Sequence, residues 1–165
     1  MLKIEILRTY SVPAFAIFYN RHIWIALLAC ISTQALKVLT GYAYNKTINK
    51  ALFFSTGGMP SSHSALVTAL TVSLGVSEGL NSPIFAVALI FSIIIMHDAA
   101  GVRRAAGKHA EVINMLVERL ESIGITPDKK LKEMLGHTPI EVVAGAIWGV
   151  LVASVTQWIL LGIIS

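Results

Sequence analysis

From Val142 to Ser165 the chain carries no charged side chain, and from Leu80 to Met96 it carries none either. Runs of that length leave few ways to fold. The hydrocarbon core of a bilayer takes about 20 apolar residues per helical crossing, and only segments that satisfy their own backbone hydrogen bonds persist there. Composition agrees: 55% of the 165 residues are hydrophobic and 13% charged, against about 25% charged in a soluble domain. The expected fold is all-α: an integral membrane helical bundle of four spanning helices plus short amphipathic or interfacial helices, in one membrane-embedded domain over 1–165. The single cysteine, Cys30, has no partner for an internal disulfide.

Periodicity and punctuation divide the chain. Residues 1–21 alternate apolar and charged side chains around Pro13 and read as an interfacial lead-in. The first span runs from His22 to about Tyr44 and contains Gln34 and Lys37. A lysine at the centre of a span costs roughly 2.5–3.5 kcal/mol. Lys37 therefore either snorkels to the interface or faces a polar pocket with Gln34 one turn above it. Asn45 to Ser55 reads as a short interfacial or re-entrant piece. The second span covers Ser62 to Gly79, and the third starts at Pro83, a first-turn position that suits proline, and ends near Ala100. The fourth begins at Thr138-Pro139 and continues to Ser165, with Gly145 and Gly149 spaced for close packing, either inside the chain or between two copies. Trp148 and Trp158 are read as bulky anchors.

Residues 101–138 form an amphipathic insert between the last two spans. A helix over Arg104 to Ile123 puts His109, Val112, Ile113, Leu116 and Leu120 on one stripe, and a short charged helix follows from Thr126-Pro127 to Leu135. With four spans, Lys3, Arg8 and Arg21 share one membrane face. Lys46, Lys50, Arg103, Arg104, Lys108, Arg119, Lys129, Lys130 and Lys132 share the other. That bias makes the second face, and the insert with it, cytoplasmic.

Chemistry gathers on that same face. In Gly57-Gly58-Met59-Pro60-Ser61-Ser62-His63 a flexible turn leads to a serine suited to an N-cap and a histidine in the first helical turn. A helix start after a loop is the plain reading; free N–H groups at a positive dipole end also attract phosphate. The Lys37 end of the first span, Asp98 with Arg103 and Arg104, and His137 all fall on this face. Two histidines, three cations and two helix N-termini describe a phosphate site. One imidazole attacks phosphorus and the other protonates the leaving oxygen. Two residues have structural readings as well. Thr138 and Glu141 fit a capping box, and Asp98 fits an ion pair with Arg103 or Arg104.

At these residues the chain resembles the type 2 phosphatidic acid phosphatase and vanadium haloperoxidase superfamily. Pro60-Ser61-Ser62-His63 resembles its second signature, and His137-Thr138-Pro139-Ile140-Glu141 the end of its third. The phrases Asp98 to Lys108 and Gly136 to Val142 resemble a small divergent branch, with the likeness running from about Asn20 to Gly149. The resemblance implies a metal-independent, cofactor-free phosphatase acting on a lipid phosphate or diphosphate held in the bilayer, with no nucleic acid involved. It implies that His137 is the nucleophile, Glu141 its orienting carboxylate, and His63 the acid for the leaving alcohol. Ser61, Ser62 and Lys37 would hold the phosphate. Two departures stand out: Tyr44-Asn45 occupies the place of an arginine-proline pair, and Lys130-Leu131 that of a serine-arginine pair. Arg103 or Arg104 is the expected replacement guanidinium, and His109 is ranked below His137. The rival expectations are a lipid-headgroup binder or scaffold without turnover and, third, a small transporter.

Overall fold

The computed structural model describes residues 14–46, 52–53, 57–121, 131 and 136–164. A 3-10 helix, Ala14–Tyr19, precedes α1 (Arg21–Asn45), α2 (Ser62–Glu78), α3 (Pro83–Ala100), α4 (Val102–Glu121) and α5 (Pro139–Ile164). Local chemistry sets the boundaries. The Asn20 side chain accepts from the N–H groups of His22 and Ile23, and Ser82 caps α3 just before Pro83. Gly79, at φ 87°, turns the chain after α2 in a conformation that a Cβ would strain.

The bundle is arranged around α2, which packs on α1, α3 and α5. Its buried residues are Ser62, Ser64, Ala65, Val67, Ala69, Thr71, Ser73 and Gly75. Small side chains let the neighbouring backbones close in, which is how helices associate when surrounding lipid is as apolar as their own side chains. The apolar centre is accordingly Ile25, Ala29, Ala65, Ala69 and Ala153. Larger residues such as Phe91, Ile94 and Trp158 point outward. Helices α2 and α5 run parallel in constant register. A Cβ on Gly145 would run into the Ser61 carbonyl, one on Gly149 into the Ala65 carbonyl, and Gln157 meets Ser73 84 residues away in sequence.

Three stretches are long and apolar enough to cross a membrane: Arg21–Ala43, Pro83–Glu121 and Pro139–Gly162. The fourth expected span, α2, has 17 residues, about 25 Å at 1.5 Å per residue, the short end for a crossing. What makes it part of the bundle is enclosure by three neighbours. Packing decides one alternative left open by the sequence and corrects one expectation. The Gly145 and Gly149 face is buried against α2 and is not available to a second copy. Trp148 is no interface anchor: its indole Nε1 donates to Ser32 Oγ on α1 at 3.0 Å. Residues 1–13 of the lead-in, most of the Asn45 to Ser55 piece and most of the expected Thr126 to Leu135 helix lie outside the described residues.

Candidate functional site

Backbone hydrogen bonds join three helix ends at one end of the bundle. The Ser61 N–H, at the start of α2, donates to the Glu141 carbonyl in the first turn of α5 at 3.0 Å. The His137 N–H, just before α5, donates to the Ala99 carbonyl at the end of α3 at 2.9 Å. Gly136, at φ 82°, lies so close to the Arg103–Arg104 backbone that a Cβ there would collide with it. On α1, Thr40 Oγ1 donates to the Met59 carbonyl at 3.0 Å, fastening the loop that leads into α2. The two histidine-bearing helix starts are thus fixed to each other and to the α3–α4 junction.

His137 is 3% exposed, and its Nδ1 lies 2.9 Å from Glu141 Oε2. The same carboxylate oxygen accepts from the Thr138 N–H at 3.3 Å, while the Glu141 N–H approaches Thr138 Oγ1 at 3.4 Å. Capping box and histidine contact therefore coexist, because one carboxylate oxygen serves both. An ionised Glu141 requires the proton on Nδ1 and leaves the lone pair on Nε2. That Nε2 is buried and has no hydrogen-bond partner among the described residues.

The His137 ring borders two hollows. One, of about 30 Å³, is lined by His63, Ile95, Asp98, Ala99, Arg103 and His137. The other, of about 210 Å³, is bordered by the Gly57–Gly58 turn, Arg104, Gly136, Thr138 and Glu141. The smaller hollow is the one that His137 shares with His63, and Glu141 borders the larger one. His63 is itself exposed. It stands within electrostatic reach of Arg103, His137, Lys37 and Asp98.

The remaining expected residues divide. Asp98 Oδ2 accepts from Arg103 Nε at 2.6 Å in a partly exposed ion pair, the structural reading given to it above. Arg104 faces the larger hollow. Lys37 does not snorkel: it is 2% exposed and within electrostatic reach of Glu141. Ser61 and Ser62 are buried, and the Ser61 hydroxyl accepts from the Ser64 N–H and Oγ. Neither serine nor Lys37 lines either hollow. His109 is exposed on α4, away from both. Among the described residues no three His, Cys, Asp or Glu side chains converge as metal ligands would. Ser64, the Ala99 carbonyl and Gly136 were not singled out as site residues. Only Gly136 carried a signal, as a glycine immediately before a histidine at a helix start.

Comparison with known proteins gives two matches. The model of the Divergent PAP2 family matches residues 18–152. The "Uncharacterized membrane protein YuiD" of Bacillus subtilis (strain 168) is 43% identical over 144 residues, covering 81% of this chain and 91% of that protein. No solved structure matches.

Proposed function

Since the chain belongs to the Divergent PAP2 family, we propose that it is a multi-pass membrane phosphatase hydrolysing a lipid phosphate or diphosphate through a phosphohistidine. The observation that carries this reading is the His137 ring, held at Nδ1 by a carboxylate and unpartnered at a buried Nε2. A buried polar atom without a partner costs about 1–3 kcal/mol, and such a cost is explained where the atom is kept for a reaction. Nε2 attacks phosphorus, the N–P bond forms and the P–O bond to the lipid breaks. His63, protonated, gives its proton to the departing oxygen. Water then attacks phosphorus, the N–P bond breaks, and His63 takes a proton from that water, releasing inorganic phosphate and restoring both rings. Arg103 and Arg104 offset the charge on the phosphoryl oxygens, Lys37 adds to the positive field around His63 without lining either hollow, and the distribution of basic residues supports a cytoplasmic-face site.

A second reading has its own observation. The hollow shared by His63 and His137 is about 30 Å³, room for a water or two, so a phosphoryl group there requires the walls to part. If they stay closed, the chain is a headgroup binder using the larger hollow. The test is phosphate release by the purified chain in vesicles carrying a panel of lipid phosphates and diphosphates, with and without vanadate. Release from at least one lipid, blocked by vanadate as a mimic of the five-coordinate transition state, is expected. Saturable lipid binding with no release from any of them would replace the enzyme with the binder.

A further inference from the structure

Helix α4 is covered in an unusual pattern. Its buried residues are Gly107, Ala110 and Asn114, and the last of them holds Leu131. Asn114 Nδ2 donates to the Leu131 carbonyl at 2.8 Å, and Asn114 Oδ1 accepts from the Leu131 N–H at 2.9 Å. The large apolar residues point elsewhere: Val112, Ile113, Leu116 and Leu120 are 41–54% exposed. Together with Val102 they occupy a sector of roughly 100° of the helix surface at its 3.6-residue period; exposed His109 shares that sector, and Met115, 51% exposed, lies outside it. Arg104, Lys108, Glu111, Glu118 and Arg119 fall on the remaining surface.

We propose that this stripe is seated in the lipid leaflet on the site's side of the membrane, so that α4 is an interfacial helix. Its partner is an anionic bilayer surface. Two observations choose lipid over other occupants. First, exposed apolar residues occur on both sides of the α3–α4 junction. Helix α3 exposes Phe91, Ile93 and Ile94, and Val102, 63% exposed, opens α4 directly after Gly101. Second, the charges need an external partner. Arg103, Arg104 and Lys108 crowd the first two turns of α4, which has no acidic residue in its first turn. Cations there oppose the positive end of the helix dipole. Asp98 offsets Arg103, but Arg104 and Lys108 have no acidic partner among the described residues. Lipid phosphates supply one, at about 1 kcal/mol per basic residue near an anionic surface.

A helix of this kind buries its apolar face about 5–10 Å into the boundary between headgroups and acyl chains. Arg103 borders the small hollow and Arg104 the larger one, so seating α4 fixes both guanidinium groups at headgroup depth. The inference holds whether or not the site turns over. It is tested by nitroxide labels on the full chain, reconstituted in vesicles of mixed phosphatidylglycerol and phosphatidylcholine, with Cys30→Ser as background. Leu116→Cys and Leu120→Cys report the stripe, and Glu111→Cys the opposite surface. All three positions are exposed, so the labels disturb no packing. The stripe labels are expected to collide with oxygen and to be shielded several-fold from a water-soluble nickel chelate relative to the Glu111→Cys label. Equal nickel access at all three would put the stripe in water. Spin–spin broadening at Leu116→Cys that vanishes on dilution with unlabelled protein would put a second copy there. Either result overturns the proposal.

Discussion

The two ends of the bundle use nearly the same side chains and arrive at opposite outcomes. At the end remote from the site, Ser73 Oγ sits between His22 Nδ1, at 2.7 Å, and Gln157 Nε2, at 2.9 Å. Gln157 also donates to the Ser73 carbonyl, and Arg21 donates to Ser77 Oγ at 2.9 Å. A histidine, serines, an arginine and an amide close a network across α1, α2 and α5. At the site end, a histidine, serines, arginines and a carboxylate again join three helices, yet the network stays open. Both buried polar atoms without a partner among the described residues, His137 Nε2 and Gln34 Oε1, lie in that half. A polar network in a low-dielectric interior is worth most when complete and costs most when it is not. The closed end holds the helices; on the proposed function, the open end keeps a nitrogen for phosphorus.

The sharpest way to break this contrast is to exchange the histidines' fates. His137→Ala is expected to reduce phosphate release by roughly 10³-fold or more, as loss of a nucleophile does, while binding of the lipid survives. His22→Ala removes a ring of the same kind and leaves turnover within about twofold, costing instead about 1–2 kcal/mol of stability through the lost contact with Ser73. Rates on lipid vesicles and denaturation midpoints of both variants check the pair. Equal losses of activity would erase the distinction between the two ends.

Glu141→Gln asks how far the open end depends on its carboxylate. The amide is nearly isosteric and can still cap Thr138, so the fold is retained. It no longer demands the proton on Nδ1, and the lone pair is no longer confined to Nε2. A loss of about 10²–10⁴ in turnover is expected, by analogy with amide replacement of a buried carboxylate behind a catalytic histidine. Thermal stability should change by less than about 1 kcal/mol. A variant that turns over normally would reduce Glu141 to a helix cap.

The sequence carried the helices because apolar runs and their punctuation are local. Asn20, Ser61 and Ser82 at N-caps, Pro83 at a helix start and Gly79 at a turn each act within a few residues. The shared end of the site was also legible, since alternation of spans places Lys37, His63, Asp98 and His137 together without further detail. What stayed out of reach depends on distance in three dimensions. The spacing of Gly145 and Gly149 signals a close approach but not its partner, which proved to be the α2 backbone. Glu141 could be read as a cap or as a partner of His137, and no spacing reveals that one oxygen does both. His22, Ser73 and Gln157 carried no motif at all, because their meeting is set by how α1 packs on α2 and by the parallel register of α2 and α5.

The smallest expected effect is also the cleanest, because one chemical change is made at both ends. Gln157→Leu removes the donor that satisfies Ser73 Oγ and the Ser73 carbonyl. In a membrane bundle such interhelical bonds are worth about 0.6–2 kcal/mol, so the unfolding midpoint should fall by that equivalent with turnover unchanged. Gln34→Leu removes an amide whose Oε1 is buried without a partner among the described residues. Replacing an unsatisfied group by an apolar one of similar size is neutral or stabilising, so the same substitution should leave the midpoint unchanged or raise it. Gln34 lines neither hollow, so its loss is expected to alter turnover by less than about tenfold, the scale of one modest hydrogen bond. Opposite signs in the two midpoints would show that one end of the bundle was built to be complete and the other was not. Matching destabilisation would mean that Gln34 has a partner when the protein sits in lipid, and that the open end closes there.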